Sequence, residues 1–67
     1  MKPLTARQVE QILAENGFER GHGKGSHVGW YNAVTRRQTV VPHHGNRVLK
    51  QGTLQEIFRQ AGIPKPR

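Results

Sequence analysis

The sequence predicts an α+β fold in the order α-β-β-β-α, with a three-stranded antiparallel sheet and both helices on one face of it. Helix capping signals stand near both ends of the chain, and the middle holds β-branched and aromatic segments joined by short turns. A length of 67 residues leaves room for one hydrophobic core. We therefore expect a single domain over residues 1–67, in which both helices bury their apolar faces against the same side of the sheet.

The first helix is predicted over about residues 6–16. Thr5 and Gln8 have the spacing of a capping box, in which each side chain bonds the backbone N–H of the other residue. The helix then carries one apolar stripe, made of Val9, Ile12 and Leu13. The pair Asn16-Gly17 is typical of a left-handed helix end, so we expect the helix to stop there.

Three extended segments follow, at residues 18–22, 26–33 and 38–41. A glycine-rich turn over residues 22–25 is expected to join the first two, and a turn at residues 35–37 to join the last two. Pro42 ends the third segment, because proline cannot donate a ladder hydrogen bond. Connections this short favour antiparallel pairing of consecutive strands.

The second helix is predicted to begin at another capping box, formed by Thr53 and Glu56, after an irregular connector over residues 43–52. Its apolar face consists of Leu54, Ile57, Phe58 and Ala61. Gly62 is expected to end the helix, and Pro64 cannot continue it. Residues from about 64 to 67 are expected to form a frayed tail.

Alternation along the central strand assigns its side chains to two faces of the sheet. Val28 and Trp30 share one face and are predicted to belong to the core. His27, Gly29 and Tyr31 share the opposite face, which no helix covers in the predicted arrangement. We therefore expect the His27 imidazole to be accessible to solvent, with space beside it at Gly29.

The positive charge of the chain is concentrated in its middle. The sequence has 11 Lys and Arg against 4 Asp and Glu, a formal net charge of +7. No acidic residue lies between Glu19 and Glu56, whereas that interval holds six Lys or Arg and all four histidines. This distribution predicts a polyanionic partner, with nucleic acid first. A basic surface kept for solubility is the plain alternative, and a membrane surface is a weaker one because no basic amphipathic helix is evident.

Composition excludes several other classes of protein. The chain has no cysteine, which excludes disulfides and thiolate metal sites and is compatible with a reducing cytoplasm. Its first residues, Met1-Lys2-Pro3, lead into a helix signal without an apolar segment, so we expect neither a secretion signal nor a membrane span. We expect a cytoplasmic protein without a cofactor, since so short a chain cannot form a dinucleotide-binding unit.

A set of short motifs runs along most of the chain. They are Gly25-Ser26-His27 with Trp30, Val41-Pro42 followed by His44, Leu49, Gly52-Thr53-Leu54, Ile57 and Gln60-Ala61-Gly62. On these motifs the sequence resembles the HicA toxin family over residues 4–63. The resemblance implies a fold like that of double-stranded RNA-binding domains. It also implies a type II toxin that cleaves messenger RNA, partnered by a HicB-type antitoxin and linked to operator DNA only through that antitoxin.

The resemblance further implies that His27, which closes the Gly-Ser-His motif, is the catalytic residue. A ribonuclease without a metal uses the 2′-hydroxyl as nucleophile, and it needs groups that move protons and hold the phosphate. Histidine suits the proton steps, because an unperturbed imidazole titrates near neutrality. The remaining candidates for holding phosphate or RNA are Lys24, Gly25, Ser26, Tyr31, Arg36, Arg37, His44 and Arg47. Tyr31 is a candidate to stack on a base, with ordinary sheet packing equally compatible.

Three other interpretations of these residues stay open at this point. A single histidine on a strand is usually hydrogen-bonded and inert, and a fold of this kind also suits a non-catalytic module that binds double-stranded RNA. A third class is a protein whose basic face binds mainly another protein. We expect no metal site, because the adjacent His43 and His44 are poorly placed to hold one tetrahedral ion.

Overall fold

The computed structural model describes residues 1–66 and confirms the predicted α+β order. It contains two helices and three strands: α1 (Ala6–Glu15), β1 (Glu19–Lys24), β2 (His27–Asn32), β3 (Arg37–Pro42) and α2 (Gln51–Ala61). The strands form one antiparallel sheet in the order β1-β2-β3. Of the predicted frayed tail, Arg67 lies outside the described residues. None of the helices in this part of the chain is long and apolar enough to cross a membrane.

The capping box predicted for α1 is confirmed. The Thr5 backbone N–H donates to Gln8 Oε1 at 2.8 Å, and the Gln8 N–H donates to Thr5 Oγ1 at 3.3 Å. Two backbone donors that the first helical turn leaves free are therefore satisfied. Gly17 follows the helix with a φ of 88°, in the left-handed region that the predicted stop requires.

The capping box predicted for α2 is wrong. The helix begins two residues before Thr53, at Gln51, and its N-cap is Lys50, which makes no side-chain capping bond. The cause is tertiary: the Leu49 N–H donates to Leu4 O at 2.8 Å, and Val48 forms an isolated bridge with Thr5. These contacts fix the chain just ahead of α2, so the helix starts where they end. The other end agrees with the prediction, since Gly62 has a φ of 68°.

The turn between β1 and β2 lies later than the sequence predicts. β1 runs on to Lys24, which pairs with His27, and the connection consists of Gly25 and Ser26 alone. The pairing of β1 with β2 shifts register between Arg20 and Gly23. There two residues of β1 face one residue of β2, as in a β-bulge. The predicted turn over residues 22–25 is thus mostly strand.

The core lies between the two helices and one face of the sheet. Val28 and Val41 are paired across β2 and β3, and both are buried. Val41 joins one cluster with the buried side chains of both helices, among them Val9, Leu13, Leu54, Ile57 and Phe58. Trp30 packs against this cluster, while His27 and Tyr31 are exposed on the other face. The assignment of the two faces from strand alternation is therefore confirmed.

Candidate active site

His27 is the first residue of β2 and is exposed on the open face of the sheet. Its Cα partners are Lys24 on β1 and Pro42 on β3. Partners in an antiparallel sheet lie about 4.5–5.5 Å apart, with their side chains on the same face. The side chain of His27 therefore shares a face of the sheet with those of Lys24 on one side and Pro42 on the other.

A backbone hydrogen bond holds the turn that precedes His27, and the backbone of β1 packs closely against the start of β2. The His43 N–H donates to the Ser26 carbonyl at 2.6 Å, which ties the end of β3 to the turn. On the other side, a Cβ placed on Gly23 would lie 2.8 Å from Val28 Cα and closer still to the His27 carbonyl oxygen. The backbone of β1 thus packs against His27 without space for a side chain, and glycine is required at position 23.

The structure brings part of the predicted site together around His27. The turn before His27 consists of Gly25 and Ser26, and Lys24 precedes it at the end of β1. The hydrogen bond from the His43 N–H to the Ser26 carbonyl places the start of the connector between β3 and α2 beside this turn. His44 and Arg47 belong to that connector. They line a cavity of about 510 Å³ with Lys50 and Thr53, over Pro42 and Leu49, which we call the Lys50 cavity.

The other predicted residues lie away from His27. Tyr31 shares its face but is four residues along β2, about 13 Å at the rise of a strand. Arg36 and Arg37 lie at the opposite end of the β2–β3 hairpin. Arg37 Nη1 donates to Gln60 O at 3.5 Å, so this guanidinium sits at the carboxyl end of α2. A role for these three residues in binding RNA stays a prediction, and it would act at a distance from His27.

A groove on the other side of Pro42 also reaches His27. This groove, which we call the His27 groove, has a volume of about 450 Å³ and runs between the edge of β3 and α2. The residues that line it include His27, Val40, Pro42, Thr53, Glu56 and Ile57. A hydrogen bond from Arg59 lowers the pKa of Glu56 below its usual value, and a hydrogen bond from Gln60 lowers this pKa further by a smaller amount. The carboxylate therefore stays ionised, but the adjacent guanidinium offsets its charge.

Glu10 is a residue that the sequence analysis missed. Its Oε2 accepts a hydrogen bond from Trp30 Nε1 at 2.8 Å and lies 3.0 Å from His43 Nε2, although the His43 N–H is not aligned for a good hydrogen bond. One carboxylate of α1 thereby connects β2 with the residue that holds the Ser26 turn. No local pattern points to this contact, because Glu10 is 20 residues from Trp30 and looks like a solvated helix position.

We expect Glu10→Ala to destabilise the protein by about 1–3 kcal/mol, because it leaves the Trp30 N–H without its acceptor in a partly buried setting and removes the carboxylate beside His43. Glu10→Gln keeps an amide oxygen for Trp30 and should lose less. Urea denaturation followed by circular dichroism measures the difference. Glu15→Ala, an exposed change on the same helix, is the control and should cost under about 0.5 kcal/mol. Equal losses for Glu10→Ala and Glu15→Ala would contradict the role of Glu10.

The arrangement of His27, Lys24 and the Lys50 cavity is suited to binding an anionic ligand and transferring a proton to or from it. An exposed imidazole can exchange a proton with a bound group, Lys24 on the neighbouring strand can stabilise negative charge, and the basic residues of the Lys50 cavity can bind an anion. Among residues 1–66, no three His, Asp or Glu side chains are grouped so that they could hold a metal ion.

Comparison with known protein families gives a match that covers nearly the whole chain. The model of the family described as HicA toxin of bacterial toxin–antitoxin matches residues 6–63. That range spans both helices and all three strands and includes His27, the Ser26 turn and the Lys50 cavity. No curated protein matches the chain.

Proposed function

Because the chain belongs to the HicA toxin family of bacterial toxin–antitoxin systems, we propose that it is an endoribonuclease that cleaves messenger RNA without a metal. Membership of that family makes the protein a toxin with an antitoxin partner. We further propose that the partner is of the HicB type, that it covers the open face around His27, and that contact with operator DNA occurs only through it. Such a toxin acts in the cytoplasm, where its substrate is.

The observation that carries the proposal is the position of His27. The imidazole is exposed at the first residue of β2, with Lys24 as its cross-strand neighbour and Pro42 leading to the cations of the next connector. A histidine that served only the fold would be expected to pack against other side chains, as the partly buried His43 does beside Glu10, whose Oε2 lies 3.0 Å from its Nε2. The exposed position of His27 instead suits a group that meets a substrate.

The reaction we propose is transesterification within the RNA strand. The 2′-oxygen forms a bond to phosphorus as the bond from phosphorus to the 5′-oxygen breaks. The 2′-hydroxyl loses its proton and the leaving 5′-oxygen gains one, so the products are a 2′,3′-cyclic phosphate and a 5′-hydroxyl. His27 moves protons in this step, and Lys24 with the backbone N–H groups of Gly25 and Ser26 stabilises the extra charge on the phosphate.

The ends of the cleaved RNA test this proposal. The purified protein should produce a 2′,3′-cyclic phosphate, or the phosphate to which it hydrolyses, together with a 5′-hydroxyl, and EDTA should leave the rate unchanged. A matched RNA with a single 2′-deoxynucleotide at the cleavage site is the control and should not be cut there. A 5′-phosphate product, or cleavage of the deoxy-substituted strand, would show that the 2′-hydroxyl is not the nucleophile.

A further inference from the structure

The Lys50 cavity has the composition of an anion-binding site. Its lining includes three basic residues (His44, Arg47 and Lys50) and Thr53, and no acidic residue. Within residues 1–66, the carboxylates found in ion pairs are Glu10 with His43 and Glu56 with Arg59. Arg47 and Lys50 thus face the same cavity with no carboxylate within 4.0 Å in the described part of the chain. Placing like charges together costs free energy that a bound anion would recover.

Size indicates what kind of anion would bind. About 510 Å³ falls within the range of small-ligand pockets and exceeds what a lone ion fills. Pro42, Val48 and Leu49 supply apolar lining alongside the cationic residues, which suits a nucleotide with one charged phosphate and a less polar sugar or base. The cavity therefore suits a nucleotide unit better than a free inorganic anion.

The cavity also borders the groove that reaches His27. Pro42 is the cross-strand partner of His27, and both Pro42 and Thr53 line the Lys50 cavity and the His27 groove. The bond from the His43 N–H to the Ser26 carbonyl holds the connector that carries His44 and Arg47 against the turn before His27. A polynucleotide strand whose phosphate lies at His27 can thus pass over Pro42 and enter the cavity.

We propose that the Lys50 cavity binds the nucleotide next to the one that is cleaved, through the phosphate of that neighbouring nucleotide. This inference rests on the proposed ribonuclease activity, and it specifies that the substrate RNA has at least one further phosphate beyond the scissile bond. Lys50 and Thr53, which the sequence analysis did not single out as site residues, then contribute to substrate binding alongside His44 and Arg47. Because the contact is made before and during cleavage alike, it affects affinity more than the rate of the chemical step.

Binding is tested with a protein that cannot cut its ligand. In a His27→Ala background, the double change Arg47→Gln with Lys50→Gln should weaken binding of a short single-stranded RNA at least tenfold. It should also lower the slope of log affinity against log salt by about 0.7 for each phosphate that the variant no longer neutralises. The control is Lys2→Gln with Arg7→Gln, which removes the same charge from exposed positions outside both the cavity and the groove. Equal effects of the two double variants would show a general effect of net charge and would overturn the proposal.

Cleavage gives a second, independent readout with His27 intact. The wild type should cut an RNA that has a phosphate beyond the scissile bond more efficiently than a dinucleotide with one phosphodiester. The Arg47→Gln, Lys50→Gln variant should lose that preference through KM, with kcat within about twofold. A preference that survives in the variant would overturn the proposed cavity. If the wild type cuts no RNA at all, the proposed function fails, whereas the binding experiment still decides whether the cavity holds RNA.

Discussion

Replacing His27 with alanine is expected to abolish RNA cleavage and growth arrest while leaving the fold intact. Loss of a group that moves protons in the transition state typically lowers the rate by about 10²–10⁴-fold. The side chain is exposed and belongs to neither the buried core nor a side-chain hydrogen bond in the described residues. Stability should therefore change by less than about 0.5 kcal/mol.

The measurement compares wild type and His27→Ala after induction in cells, together with cleavage of a labelled RNA by the purified proteins. Circular dichroism and urea denaturation establish that the variant is folded. His22→Ala is the matched control, since His22 is also an exposed histidine of the sheet but lies in the bulged part of β1. It should retain most of the activity.

Two outcomes would change the interpretation. If folded His27→Ala cuts RNA as the wild type does, His27 is structural or binds phosphate at most. If neither protein cuts RNA but both bind it, the protein is a binding module without nuclease activity. Arrest of growth by both proteins would then have to come from binding alone.

Gly23→Ala is expected to cost about 2–3 kcal/mol of stability or more. The new methyl group would lie 2.8 Å from Val28 Cα and nearer still to the His27 carbonyl oxygen, and both atoms belong to the backbone of β2. A side chain can move aside, but here two paired strands must separate, as in a core that is overpacked. For a domain whose total stability is about 3–10 kcal/mol on the usual per-residue scale, this loss is a large fraction.

Gly52→Ala is the matched control for this change and should have the opposite sign. Gly52 lies in the first turn of α2, and nothing is within 4 Å of the position of its Cβ. Alanine there raises helix propensity and should stabilise the protein by about 0.5 kcal/mol. Urea denaturation of both variants measures the contrast. A Gly23→Ala protein as stable as the wild type would show that β1 does not pack against His27 as described.

Much of the fold could be predicted from short-range patterns. The capping box of Thr5 and Gln8, the left-handed ends at Gly17 and Gly62, and the alternation that buries Val28 and exposes His27 each depend on a few adjacent residues. The motif around His27 also placed the centre of the candidate site within the sequence. These features can be predicted because their physical causes lie within one turn or one strand.

Other features depend on residues far apart and could not be predicted in this way. The start of α2 is set by the contact between Leu49 and Leu4, so the local capping signal at Thr53 was overridden. Arg36 and Arg37 have the right charge for phosphate binding, but strand pairing places them at the far end of the hairpin from His27. No local sequence pattern marks Lys50 as a site residue. It becomes a candidate for substrate binding only because it lines the same cavity as Arg47.

Periodicity, capping and composition were enough to establish the order of elements, the face on which His27 lies and the basic character of the middle of the chain. The folded structure was needed to establish which cations share one cavity, how Glu10 connects α1 to the Ser26 turn, and why Gly23 admits no side chain. The difference has a physical cause, because a site depends on distances between segments that are far apart in the chain. Those distances are set by strand register and helix packing, which arise only when the whole chain is folded.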